Sequence, residues 1–444
     1  MLRDSFSICL LILFFFVIFS YHTIYRHQTF NSHAFDLGIY TQSIFLYSQG
    51  RQPLSSLKHM NILGDHFGPI LFVLSPIYRL FPYSETLLVI QALFVSFSGF
   101  FIYLIYLDKT KDKFQSLLFV SIYLSFSGIL TAVNFDFHLA TISVFPLSLM
   151  LYSWYFKRWK LYFFSLFFAL LFKEDIPLFI VGLGFFSIIQ RQKKNGLITV
   201  IIGFISYFLI KYQIMPRFSL GSENAYINTV AFHLNKPTEL LFDIFGSKTK
   251  ITTLITLYGQ FLFLPLLSIL NWSTVFPYLV IRFLSNAPHY WGLQFHYNAN
   301  LAPFLTFATI LSLGKININK HLINSAFIII LALENLFLNR LVFNTLQFNI
   351  SDTKKFSYIN KSIKIIPNTA SVSAQSPIVS HLSNRNKIYL YPEILDADYL
   401  VLDQSLDSYP LRKFELANNI VLLENSSEWT LKQKTNSLLI FKRN

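Results

Sequence analysis

A single cysteine, Cys9, stands in 444 residues, so no disulfide can form within the chain and the small cross-linked folds are excluded. Charge is scarce too: 13% of residues are Asp, Glu, Lys or Arg, against about 25% in a soluble globular domain. Negative charge is the scarcer sign, with 22 acidic residues against 36 basic ones and a formal net charge of +14. No Gly-rich phosphate loop, zinc-type Cys/His spacing or RNA-binding signature occurs, so the positive balance does not point to nucleic acid. What the chain has in quantity is apolar surface: 53% hydrophobic residues, with 50 Phe and 24 Tyr. A soluble protein would have to expose much of that to water; a bilayer accepts it.

Apolar runs long enough to span occur near 7–24, 84–106, 115–133, 139–156, 197–215, 251–270, 299–315 and 321–338. Three shorter runs lie near 161–172, 176–190 and 275–287. The first run could be a signal peptide, but it lacks a small-residue cleavage site and is followed by Tyr21, His22 and Tyr25, so it is read as a retained helix. The pair at 161–190 is interrupted by Lys173-Glu-Asp-Ile-Pro177, read as a tight turn with Pro177 in the first turn of the second helix. The segment 66–81 is apolar but carries Pro69, Pro76 and Arg79, and is placed flat in the interface or re-entrant.

Charge fixes an orientation. With the N-terminus inside, the inner loops hold Lys109, Lys111, Lys113, Lys157, Arg158, Lys160, Arg191, Lys193, Lys194, Lys315 and Lys320, while the short outer loops hold only Lys173. Basic residues in short loops stay in the cytoplasm. About eleven crossings then leave the C-terminus outside. The expected fold is a polytopic α-helical membrane protein of about 11 transmembrane helices, residues 1–340, with long outer loops at 25–83 and 216–250. Residues 341–444 form a small extracytoplasmic α/β domain. In it, 370–374, 387–391 and 399–403 read as strands, 377–383 as a short helix, and 419–423 with 437–442 as a closing strand pair.

Five polar clusters fall on the outer side: Asp36 with Tyr40; Asp65 and His66; Asp136 and His138; Lys173, Glu174 and Asp175; and His289 with His296, Tyr297 and Asn298. Ionisable groups near the membrane plane are costly unless they pair or face a cavity, so their concentration on one face argues for a shared outer cavity. Each has a plainer reading. Asp36 could cap the helix that follows, Asp136 and His138 could satisfy loop backbone, Glu174 and Asp175 could favour a helix N-terminus, and His296 could belong to an aromatic belt. Arg282 lies inside an apolar run near its outer end, where it either snorkels or binds an anionic phosphate.

The motifs FDLGIYTQ at 35–42, HFGPILFVLSPIYRLFP at 66–82, FDFH at 135–138, FKEDIPL at 172–178, HYNANLAPFL at 296–305 and IPNTASVSAQSPIVSHLSNRNKIYLYP at 366–392 follow one another in that order. Together they resemble a family of predicted prokaryotic multi-pass membrane proteins classed as a domain of unknown function. That family is similar in layout to the GT-C membrane glycosyltransferases, which take a sugar from a polyprenyl-phosphate carrier on the outer face. The resemblance implies a transferase in which Asp36, matching the acidic residue of the first outer loop, is the catalytic base. It implies further that Arg282 and Lys173 hold the carrier phosphate, and that Asp65, His66, Asp136, His138, Glu174, Asp175, His296 and Tyr297 line the sugar pocket. No Asp-Glu or Asp-x-Asp pair occurs at 36 or 136, which counts against a metal-dependent scheme; no cofactor is assigned, and a divalent cation stays open. The implied partners are the bilayer, a polyprenyl-phosphate sugar and an acceptor. Rival expectations are a transporter or lipid flippase, whose mark would be mid-helix polar residues and an internal repeat, and a non-catalytic envelope-assembly protein using its tail.

Overall fold

The computed structural model describes residues 2–219, 245–285, 287–316, 319, 321–331, 333 and 350–444. Most of the expected second outer loop, Lys320 and the end of the 321–338 run lie outside the described residues. Three helices are long and apolar enough to cross a membrane: Phe6–Gln28, Ser84–Thr110 and Lys193–Phe218; a bent pair, Lys113–Leu124 with Ser127–Val133, makes a fourth.

Helix α1 (Leu2–Gln28) shows why these helices need lipid. Ile8, Ile12, Phe15 and Phe19 are buried, while Phe6, Leu10, Leu13, Phe14, Val17 and Tyr21 are exposed on the opposite face. Both sets recur at helical spacing, so the helix is apolar all round, with one side on protein and one on the bilayer. Short α2 (Ile39–Ser48) and α3 (Ile70–Leu80) follow in the first long loop. Helix α3 buries Leu71, Leu74 and Tyr78 and exposes Phe72, Val73, Ile77 and Leu80, the apolar outer face expected of an interfacial segment. The central span α4 (Ser84–Thr110) packs on α1 and is the most enclosed of the three. Then come α5 (Lys113–Leu124) and α6 (Ser127–Val133), which meet at 51°, α7 (Val144–Tyr155) and α8 (Trp159–Ala169). A tight turn at 170–175 leads into α9 (Ile176–Ile189), with Pro177 in its first turn as the sequence suggested, and α10 (Lys193–Phe208) runs back along it.

Next come α11 (Lys248–Gly259) and α12 (Val275–Phe283), separated by the short helix Ile269–Ser273. The sequence suggested two spans here. Twelve and nine residues reach about 18 and 14 Å, well short of the roughly 30 Å hydrocarbon core. The end of α11 meets the α5–α6 break, where the Gln260 side chain accepts from Ser127 N (3.0 Å) and Ser127 Oγ (2.6 Å). Gly182, in the middle of α9, lies against the Ser273 carbonyl. Helix α13 (Ala302–Leu313) is buried on almost every side.

The two ends of the bundle differ. At one, Asp108 pairs with Lys111 (2.6 Å) and accepts from Tyr155 (3.0 Å), and Lys109 lies against Gly314, so three basic loops meet there. The other end gathers the acidic and histidine motifs and the tail.

Beyond α14 (Ile350–Ser362) the tail is a five-stranded sheet. Strand β3 (Val372–Ala374) is parallel to both β4 (Ile388–Leu390) and β5 (Tyr399–Asp403), Val372 facing Ile388 and Tyr399, and α15 (Ser376–Leu382) connects β3 to β4. Strand β7 (Leu438–Arg443) is antiparallel to β5 and to edge strand β6 (Trp429–Thr435). The sheet order is β4-β3-β5-β7-β6, β1 (Leu54–Ser55) and β2 (Met60–Asn61) being a small ladder in the first loop. Residues 419–423, expected as a strand, belong instead to α16 (Lys413–Glu424). The Glu415 side chain accepts from Arg412 N (2.7 Å) and starts it, and Leu416, Ile420 and Leu423 recur at 4 and 3 residues to bury one face. The tail is not a separate body. Ile378, Val379, Leu382 and Ile388 share one apolar cluster with Ala34, Leu37, Tyr40 and Ile44 of the first loop.

Candidate functional site

Asp36 sits in a π-helical turn, Ala34–Gly38, between α1 and α2, and the Phe35–Asp36 peptide is cis. Tail residues hold this turn: Ala34 N donates to Ser376 Oγ (3.1 Å), and Ser32 Oγ pairs with Ser380 Oγ (2.9 Å). Asp36 makes no capping hydrogen bond to the following helix, so the capping explanation does not apply. Its Oδ2 lies 3.6 Å from His296 Nδ1. Burial is the main influence on this carboxyl and pushes its pKa up to about 6, with His66, Lys173 and Lys58 pulling the other way.

His138 comes from the α6–α7 loop. Its N–H donates to Gln91 Oε1 of α4 (2.9 Å), and its Nδ1 accepts from Ala140 N (3.1 Å), capping the short helix Leu139–Ile142. The ring stacks on His296, centroids 3.2 Å apart and planes within 9°. Burial lowers both imidazoles, so both are neutral. With Nδ1 of His138 accepting, its proton sits on Nε2. That Nε2 and both ring nitrogens of His296 have no hydrogen-bond partner among the described residues.

His66, at the end of the short helix Ile62–Asp65, bonds Glu174 through Nδ1 (3.3 Å), and Phe67 N donates to the same carboxylate (3.2 Å). Burial alone would lower His66, but Glu174 and Asp65 outweigh it and the net shift is upward. Burial alone would raise Glu174, yet His66 and Lys173 carry it well below the usual carboxylate range. The His66 ring stands edge-on to His138 at 5.4 Å, joining the two pairs.

The remaining candidates surround this centre. Asp136 accepts from His33 N (2.8 Å) and faces Arg26 at 3.5 Å; Arg26 also bonds the Phe135 carbonyl. Asp65 pairs with Lys58 (3.3 Å). Asp175 accepts from Tyr278 OH (2.9 Å) and Asn300 Nδ2 (3.4 Å). Lys173 is buried, with its Nζ 6.0 Å from the Tyr297 ring centre. Arg282 does not snorkel: it is 5% exposed and donates to the carbonyls of Tyr297 (2.8 Å) and Gly292 (3.4 Å), bracing the loop that carries His296.

All eleven candidates therefore stand at one end of the bundle, on six separate chain segments. Asp36, His66, His138, Glu174 and His296 meet directly; Asp65, Asp136, Asp175, Arg282 and Tyr297 engage partners around them. Sequence reasoning missed Arg26, Lys58, Gln91 and Asn300. Gln91 was the most accessible of these, as a wholly buried amide inside an apolar run. A separate apolar cavity of about 360 Å³, lined by residues including Leu130, Ile255, Leu293 and Ile330, shares no residue with this cluster.

Residues 26–441 match the family described as "Predicted membrane protein (DUF2079)", and the chain belongs to that family of membrane proteins. No curated protein matches it. Among solved structures, the crystal structure of ArnT from Cupriavidus metallidurans bound to undecaprenyl phosphate is similar at 10% identity and a TM-score of 0.49, over 98% of each chain.

Proposed function

We propose that this protein is a membrane glycosyltransferase that moves a sugar from a polyprenyl-phosphate carrier to an acceptor on the outer face of the membrane. The observation that carries this reading is the convergence on Asp36. Its carboxylate, ionised at neutral pH yet basic for an Asp, meets His296 and lies in one polar cluster with His66, His138, Lys173 and Glu174. That combination suits removal of a proton from an acceptor hydroxyl. The acceptor oxygen attacks the anomeric carbon, the bond from that carbon to the phosphate oxygen breaks, and the phosphate leaves on its lipid with inversion at carbon. Lys173 balances the phosphate charge. Arg282 acts by fixing the His296–Tyr297 loop, and Asp65, Asp136 and Asp175 shape the sugar pocket through their own partners.

The membrane setting fits: the cluster is flanked by α3 with its exposed apolar face, where a lipid headgroup would lie. In this reading the basic loops face the cytoplasm, and the cluster and the tail face outward, residues 341–444 contributing to acceptor binding. Reconstitution with labelled polyprenyl-phosphate sugars should give transfer that Asp36→Asn lowers at least a hundredfold. Undiminished transfer in that variant would remove Asp36 as the activating group.

A further inference from the structure

Two buried imidazoles lie ring to ring with a carboxylate beside them, and three of their four nitrogens have no hydrogen-bond partner among the described residues; because the stacked planes are nearly parallel, one ring turns for both nitrogen lone pairs to meet on one ion. We propose that Asp36, His138 and His296 bind a divalent transition-metal ion, zinc by the character of the ligands, with a position left open for a substrate oxygen. One ligand atom from each residue lies within 4.8 Å of the others. The Asp36 Oδ2–His296 Nδ1 separation of 3.6 Å is close to the roughly 3.3 Å edge of a tetrahedron with bonds of about 2.0–2.1 Å. Two nitrogens and one carboxylate oxygen are a ligand set that suits zinc, and three protein ligands are the number a reactive zinc site keeps.

The ligands are held from outside. Gln91 fixes the His138 backbone, Arg282 the Tyr297 carbonyl next to His296, and Ser376 the turn that bears Asp36. His138 is wholly buried and His296 is 3% exposed, so bulk solvent does not reach the free nitrogens. Ligation by His138 through Nε2 moves its proton to Nδ1, and Ala140 N–H then loses its acceptor. Loss of that one cap lowers affinity by roughly tenfold, which a zinc site of three ligands tolerates.

This site stands on coordination geometry and not on glycosyl transfer. If transfer occurs with the ion bound, Asp36 acts through the metal, which lowers the pKa of the oxygen it holds. The full-length protein in detergent, stripped by chelator and titrated with Co²⁺, should take up one equivalent with the visible absorption of a low-coordinate, nitrogen-ligated ion, and Zn²⁺ should displace it. His296→Gln and His138→Gln should each weaken Co²⁺ binding at least a hundredfold, while Glu174→Gln, outside the ligand set, should retain it. Circular dichroism and a monodisperse elution profile check that each variant is folded. A featureless or octahedral spectrum, or unchanged affinity in both folded histidine variants, overturns the site. Metal bound with no sugar transferred sinks the proposed function alone; transfer with no metal bound sinks the metal site alone.

Discussion

Glu174 accepts hydrogen bonds from His66 and Phe67 in a largely buried setting, and both members of the ion pair are shifted toward their charged forms. The folded pKa of Glu174 lies below its ordinary 4.5, so its contribution is present above about pH 4.5 and is lost as pH falls through the folded value. That of His66 lies above 6.5, so its contribution is complete below about pH 6.5 and is lost as pH rises through the folded value. The pair is strongest between those limits. Thermal unfolding of His66→Gln should show a smaller alkaline decline than the unsubstituted chain, and His66→Leu, which strands the Glu174 charge, should lose about 3 kcal/mol at pH 6. Equal pH profiles would mean that the pair contributes nothing. At this scale the site was legible wherever charge or imidazole broke an apolar stretch in a cluster, as at 135–138 and 172–178. It was not legible at Arg26 and Lys58, which sit in ordinary polar stretches, or at Gln91, a lone amide in an apolar run, and all three acquire partners only when α1, the first loop and α4 come together.

At the scale of elements, α9 and α10 lie close enough that side chains would not fit between them. A Cβ on Gly196 would stand 2.8 Å from the Gly184 carbonyl oxygen and 2.8 Å from Ile188 N; a Cβ on Gly184 would stand 2.7 Å from Val200 N. Backbone cannot yield as a flexible side chain can. Small residues permit such approach between membrane helices, where packing replaces the hydrophobic effect as the driving force. Gly196→Leu should therefore destabilise by about 2–3 kcal/mol in detergent, while Leu197→Ala, on the exposed face one residue on, should change stability by under about 0.5 kcal/mol. Similar unfolding temperatures for the two variants would show that the crossing is loose. Length and apolarity made α1, α4 and α10 plain in sequence. The break between α11 and α12 was not plain, because hydropathy does not show where an apolar stretch breaks when Ser127 bonds the Gln260 side chain and the side-chain-free Gly182 lets the Ser273 carbonyl approach. Helix α16 was missed for a different reason: Ile420 to Leu423 alone looks like a strand, and the deciding signal is Glu415, five residues earlier, whose side chain caps the Arg412 N–H.

For the whole molecule, the tail and the first loop share a core, and several hydrogen bonds cross between them. Ser84 Oγ donates to the Ser380 carbonyl (2.7 Å), Gln42 Nε2 to the Asn386 carbonyl (3.0 Å) and Ser56 Oγ to the Ile388 carbonyl (2.7 Å). Deleting 345–444 would uncover Leu37, Tyr40 and Ile44 and release the turn that holds Asp36. The truncated chain should be cut by protease within 25–83, where the full chain resists; resistance in both would show that the loop folds without its cover. Since the tail rests on the acidic and histidine end, one experiment on sidedness tests the placement of the entire cluster. The basic loops converge at the opposite end, where Lys109 meets Gly314 and Asp108 meets Tyr155, and positive charge of that kind is retained in the cytoplasm. With Cys9 replaced by Ser, Lys432→Cys in the tail should react with an impermeant maleimide on intact cells, and Lys157→Cys should react only after permeabilisation, both side chains being exposed in the fold. The reverse pattern would put Asp36 and its neighbours on the cytosolic face, and transfer from an outward-facing lipid-linked sugar would then have no site.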